Sequence, residues 1–245
     1  IPAWSSLSNE ERVIGSRLME VFAAFLAHTD AQVGKLVGAL RDIDEFDNTL
    51  FIYIVGDNGA SAEGGLRGGW NYFAGLMGMQ EDTATNLARL DEFGLTDSFP
   101  HFPAGWAWAT NTPFQWAKTV ASHLGGTRNP LVMSWPNGIR SKGELRSQWS
   151  HVNDIVPTIL DILDLDAPKE FDGIPQLPMD GVSLAYSFDD ARASSRHNTQ
   201  YFEVFGHRAI YYEGWMASAF RGRAPSNVMT PIKHSFEVAV WEPVS

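Results

Sequence analysis

Apolar residues fall mostly at three- and four-residue spacings from Met19 through Phe22, Leu26, Val33, Leu36 and Val37 to Leu40, which predicts one long amphipathic helix ending near Arg41. Its start is marked by Ser8-Asn9-Glu10-Glu11, with Ser8 at the N-cap and Glu11 three residues on, the spacing of a capping box. Asp47-Asn48 signals a turn. The unbroken run Thr49-Leu50-Phe51-Ile52-Tyr53-Ile54-Val55 then predicts a strand apolar on both faces, as a central strand covered by helices would be. A helix feeding such a strand is the signature of an α/β protein. A second buried strand is expected over Pro130–Trp135, ending at Pro136-Asn137-Gly138. A helix follows from about Asp154, with Ile155, Ile159, Leu160 and Leu163 on one face. Pro157 lies in its first turn, where the missing N–H would lack an intrahelical partner anyway.

Between Gly56 and about Ser122 the pattern loosens. A short helix is expected over Asp82–Phe93, flanked by Gly64-Gly65, Gly68-Gly69 and an aromatic stretch from Phe99 to Trp116. Loops this long inside compact domains tend to be functional. Residues 168–181, rich in Pro, Gly and Asp, read as a linker. Beyond them Tyr201–Phe205, Ala209–Tyr212, Trp215–Phe220 and Phe236–Trp241 are strand candidates, with Glu213-Gly214 as a hairpin turn. The expected architecture is an α/β domain over residues 1–185 with an antiparallel subdomain over 186–245.

Composition narrows the function classes. At 44% hydrophobic and 19% charged residues, with nine Trp, six Tyr and fifteen Phe, the chain can bury a core and is not a disordered one. Its longest apolar runs, Val21–Ala27 and Leu50–Val55, are far below the roughly 20 residues of a membrane span. Lys and Arg number 18 against 29 Asp and Glu, a net charge of −11 with no basic patch, which argues against a nucleic-acid partner. Cysteine is absent, which excludes disulfides, thiolate metal sites and a cysteine nucleophile within these residues. Ile1-Pro2-Ala3-Trp4 and the end at Pro243-Val244-Ser245 both read as cut, so a piece of a longer protein is expected.

Chemistry is expected first at Gly56-Asp57-Asn58-Gly59, directly after the first strand, since ligands of open α/β sheets bind beyond the carboxyl ends of strands. Asp57 and Asn58 offer hard oxygens suited to calcium or magnesium, although Asp-Asn-Gly is also a common turn. Lys118 could hold one oxygen of a tetrahedral anion, or be a solvated surface lysine. His101, His123, His151 and His207 are open between acid–base groups, ligands and structural histidines. Trp106, Trp108 and Trp116 could line a pocket or pack in the core. Walker, Gly-x-Gly-x-x-Gly and Gly-x-Ser-x-Gly motifs are all absent.

Taken together, the segments resemble the arylsulfatases, of the sulfatase family in the alkaline-phosphatase-like superfamily. The resemblance rests on Gly56 to Gly65 after the strand, then Asn111-Thr112-Pro113-Phe114 leading to Lys118, Ala121-Ser122-His123, and Gly125-Gly126-Thr127-Arg128-Asn129-Pro130-Leu131. It continues through His151 to Leu160, Asp180-Gly181-Val182-Ser183-Leu184, and Arg208-Ala209-Ile210 before a Gly-Trp hairpin. It implies a sulfate-ester hydrolase with a mixed sheet between helical layers, a calcium ion with magnesium as the alternative, and a small-molecule sulfate ester as substrate. Asp57 and Asn58 would be one pair of metal ligands and Lys118 the lysine on the sulfate. Periplasmic or secreted placement follows the family habit.

The departures are equally specific. The family's formylglycine nucleophile arises from Cys/Ser-x-Pro-x-Arg, which this sequence lacks, and the upstream aspartates are lacking too. Met216 follows the late Gly-Trp where lysine is usual, and His207 stands where Asn is frequent. The chain thus corresponds to the C-terminal portion of a sulfatase and is expected to be inactive alone. The alternatives are a phosphodiesterase or phosphonate hydrolase of the same superfamily, or a non-catalytic binding protein with this fold.

Overall fold

The computed structural model describes residues 1–77, 79, 81–221 and 240–244. Helix α1 spans Asn9–Asp42 and begins with the expected capping box: Glu11 N donates to Ser8 Oγ (3.1 Å) and Ser8 N to the Glu11 carboxylate (2.9 Å). Its buried side is not the expected one. Ile14, Gly15 and Leu18 are covered, whereas Phe22, Leu26 and Leu36 are exposed. Spacing located an apolar stripe, but a helix buries only what its neighbours cover, and the neighbours meet its N-terminal half. There Ile14 and Leu18 join Ala62, Phe93, Phe102, Ala104, Ala107 and Ala117 in the core. Trp106 packs on Trp4 and its Nε1–H donates to Gly15 O (2.9 Å).

Strand β1 (Phe51–Ile54) pairs antiparallel with β2 (Leu131–Ser134), Phe51 facing Ser134 and Ile54 facing Leu131. Both strands stand where the apolar runs put them. Their burial differs from expectation: β1 is half-buried and Ile54 is 41% exposed, because the described residues supply only these two strands and no covering layer on each face. The loose region contains α2 (Tyr72–Leu76), α3 (Thr83–Ala88) and α4 (Ala104–Asn111), followed by α5 (Leu124–Thr127). The expected Asp82–Phe93 helix is shorter than predicted, with Asp82 as its N-cap and a separate 3-10 turn over Leu90–Glu92.

Helix α6 spans Ile155–Ile162 after a 3-10 turn over Val152–Asp154. Here the apolar face is not the most deeply buried one. The buried residues are Asp154 and Thr158, while Ile159 is 36% and Leu163 57% exposed. Polar groups on this side have fixed partners. The Asp154 carboxylate accepts from His151 N (2.7 Å), Val182 N (2.8 Å) and His197 Nδ1 (2.7 Å). His197 Nε2 faces the Thr199 carbonyl and Gln200 Oε1, each at 3.1 Å, so both ring nitrogens face acceptors.

The 168–181 segment holds a small exposed hairpin, β3 (Glu170–Phe171) with β4 (Ile174–Pro175). The last sheet has the order β5 (Thr199–Val204), β6 (His207–Tyr212), β7 (Trp215–Ala219), β8 (Val240–Pro243), antiparallel throughout. Residues 236–239 of the fourth expected strand lie outside the described residues. Positive φ at Glu213 (45°) and Gly214 (89°) makes the predicted tight hairpin turn. Alternation on β6 buries His207, Ala209 and Tyr211, and Tyr211 stacks on Trp149 at 3.6 Å. No described helix is long and apolar enough to cross a membrane.

Candidate active site around Lys118

The turn after β1 is held from three sides. Gly59 N donates to Gly126 O (3.2 Å), and a Cβ at Gly59 would lie 1.6 Å from Gly125 O, so only glycine permits this approach. Asn129 turns its side-chain amide on the Asn58 backbone, donating to Asn58 O (2.8 Å) and accepting from Asn58 N (3.2 Å). Lys118 N donates to Ala60 O (3.0 Å), and Asn111 bridges Ala60 N (3.4 Å) to Trp116 O (2.7 Å). Segments 56–60, 111–118 and 125–129, separate in sequence, are thereby one unit.

Asp57 is exposed at the tip, and Asn58 Nδ2 donates to its Oδ1 (2.7 Å). The pair fits a hard cation by donor type. Turning the Asn58 amide over would set two oxygens side by side, an arrangement a cation stabilises. It does not fit by number, since calcium takes about six to eight oxygens. Among the described residues no group of three or more His, Cys, Asp or Glu completes such a site.

Lys118 is the centre of a denser cluster. Its Nζ lies 2.9 Å from Oε2 of Glu63, whose residue is 8% exposed. The same oxygen accepts from Tyr72 OH (3.0 Å) and lies 2.8 Å from Ser61 Oγ. Ser61 Oγ is also 2.8 Å from His101 Nε2, and the His101 ring stacks on Tyr72. Burial alone would raise the Glu63 carboxyl, but hydrogen bonds from Lys118, Ser61 and Tyr72 outweigh it and hold the group below its ordinary value. Burial alone would lower the Lys118 ammonium. Its hydrogen bond to Glu63 and the nearby charges of Glu63, Tyr72 and Asp57 prevail and raise it. Burial raises Tyr72, helped by its bond to Glu63, and burial lowers His101.

Lys118 and the Asp57–Asn58 turn are therefore brought together by the Lys118 N to Ala60 O bond. Ser61, Glu63 and Tyr72 also belong to the cluster, and Ser-x-Glu three residues beyond the Asp-Asn turn was the available signal. His101 joins the cluster. His151 caps the turn before α6, with Nδ1 accepting from Asn153 N (3.4 Å). His123 contacts the fully buried Ser122 through Nδ1 (2.9 Å), and His207 is buried beside Phe220. The three tryptophans line no common pocket: Trp106 packs on Trp4, Trp108 is 44% exposed, and Trp116 stacks on Phe220 at 4.2 Å.

The Sulfatase family profile matches residues 4–165, two-thirds of the sequence and every element from α1 through α6. The chain belongs to the sulfatase family. This sulfatase chain is 29% identical over 182 residues to an arylsulfatase of Klebsiella aerogenes, a match covering 74% of the chain and 37% of that protein. It is 28% identical over 211 residues to an uncharacterized sulfatase of Schizosaccharomyces pombe, covering 85% of the chain and 36% of that protein. A structure from work on glycosaminoglycan metabolism in Bacteroides thetaiotaomicron aligns with TM-score 0.49 at 16% identity, over 78% of this chain and 31% of that one. The sulfatase chain thus spans little more than a third of the length of these relatives. Membership carries the expected α/β, alkaline-phosphatase-like fold class.

Proposed function

We propose that the protein containing this chain hydrolyses sulfate esters, with Lys118 placed on the sulfate group and Asp57 and Asn58 supplying two ligands of a calcium ion, magnesium being the alternative. The observation that carries this reading is the Lys118 N to Ala60 O bond, which fixes the lysine backbone beside the Asp57–Asn58 turn from 58 positions away. The Glu63 carboxylate keeps Lys118 charged, so its ammonium can offset negative charge that develops on sulfate oxygens as the S–O bond breaks. When bound, the cation would act as a Lewis acid on the same oxygens. Asn58 favours an oxygen-loving cation and hence sulfate over phosphate chemistry. The sequence holds no Cys/Ser-x-Pro-x-Arg, so the reading includes that the 245-residue chain alone does not turn over. The division at residue 185 belongs to the same proposal.

The test compares an aryl sulfate with the matching aryl phosphate as substrates of the native protein and of the chain alone. Sulfate turnover by the native protein only, lost about 100-fold or more in Lys118→Met, is expected. Preference for the phosphate ester, or measurable sulfate turnover by the chain alone, would overturn the respective half.

A further inference from the structure

The hydrogen atoms behind Lys118 do not add up. His101 Nδ1 lies 2.9 Å from the Phe102 carbonyl, which can only accept, so Nδ1 carries a proton. In the neutral ring Nε2 is then bare, and it faces Ser61 Oγ at 2.8 Å. The same Oγ faces the Glu63 carboxylate at 2.8 Å. Two acceptors therefore flank a single hydroxyl proton, and one of two short contacts has none. The other neighbours of His101 do not supply it: Tyr72 presents its ring face and gives its hydroxyl proton to Glu63, while Lys118 points its ammonium at Glu63.

We propose that His101, Ser61 and Glu63 form a proton-binding relay behind Lys118. One proton taken from solvent onto His101 Nε2 lets the ring donate to Ser61 and Ser61 donate to Glu63, completing both contacts. The balance is simple. Glu63 and Lys118 cancel, so the unit is neutral with a neutral ring and carries +1 once His101 is protonated. His101 is thus a positioning residue acting through Ser61 and Glu63, and the relay is a means of strengthening the hold on an anion at Lys118. That last consequence rests on the sulfate reading; the relay itself does not. Burial disfavours the extra proton, which places its uptake on the acid side of the ordinary histidine range.

The test is a nitrogen-detected titration of the histidine rings in the intact chain, with His101 assigned by its loss in His101→Gln. The Nδ1–H tautomer is expected above the midpoint and a doubly protonated ring below it. Ser61→Ala removes the acceptor of the new N–H and should lower the midpoint by about one pH unit, a tenfold change, with Ser61→Thr restoring it. An Nε2–H tautomer, or a midpoint unmoved in Ser61→Ala, overturns the relay. Should Ser61→Ala fail to fold, the wild-type tautomer alone decides. Inorganic sulfate should raise the midpoint, since proton and anion binding are reciprocal. A relay that passes its own tests while sulfate leaves the midpoint unchanged would uphold the proton site and remove the anion reading of Lys118.

Discussion

Replacing Asp154 by asparagine tests whether the polar interior of α6 has the weight its geometry suggests. The side chain is fully buried, with Oδ2 accepting from His151 N and Oδ1 from both Val182 N and His197. Asparagine keeps one oxygen. Its better orientation saves the two contacts at Oδ1 and aims an N–H at the His151 N–H. One charge-assisted bond is lost, at about 1.5–3 kcal/mol, and two buried donors then face each other. The contact from His197 Nδ1 then meets a neutral amide oxygen in place of a carboxylate. The lost bond and the two opposed donors together cost about 3–5 kcal/mol, which we expect for Asp154→Asn. At 2–4 °C per kcal/mol for a chain of this size, the melting temperature should fall by roughly 10 °C. Urea denaturation of wild type, Asp154→Asn, His197→Leu and the double variant completes the cycle. The double variant should lose at least about 1 kcal/mol less than the two singles together, because both singles weaken the same Asp154–His197 contact. A loss below about 1 kcal/mol for Asp154→Asn, or strict additivity, would refute the reasoning.

Gly59→Ala places a methyl group 1.6 Å from Gly125 O, so the turn must move; the calcium binding that the proposed function assigns to the native protein, measured by calorimetry, should be lost, with a stability loss of about 2 kcal/mol or more. Stability should fall on acidification in two stages. His101 and Glu63 both have lowered values, so each contributes stability above its ordinary 6.5 and 4.5 that is lost as pH falls through its folded value; thermal melts across pH 3–8 should show this, and Glu63→Gln should remove the lower stage. At the alkaline end Lys118 and Tyr72 are raised, so their contribution is complete below the ordinary 10.5 and 10.0 and disappears as pH rises further; Tyr72→Phe should remove part of that decline.

The elements with strong local signals were legible. Ser8 and Glu11 announce the start of α1 because a capping box needs only four consecutive residues, and Glu213-Gly214 announces its hairpin because left-handed φ selects such pairs. Burial was not legible, because it depends on what lies opposite. The stripe from Phe22 to Leu36 and the face of α6 from Ile155 to Leu163 are apolar by sequence and largely uncovered among the described residues. The candidate site was half legible. Asp57 and Asn58 sit at a strand end, where position alone gives them meaning. Glu63, Tyr72 and His101 gain theirs only when a chain reversal brings residues up to 40 positions apart onto Ser61, and no local pattern reports that.

An ammonium already paired with a carboxylate looks a poor choice for an anion site, and the geometry of Lys118 answers the objection. A lysine this close to an exposed Asp57 and a buried Glu63 stays charged, whereas burial without Glu63 would push it toward neutrality. Glu63 cannot take the place of an anion on the outer side of Nζ, because its Oε2 is also engaged by Tyr72 and Ser61. An ammonium has three donors. One is spent on Glu63, and the side chain remains about one-third exposed, which leaves the other two a direction in which to meet an oxygen. The carboxylate is thus a tether that holds the charge in place, and under the proposed function an anion would be met without first breaking the pair that orders it.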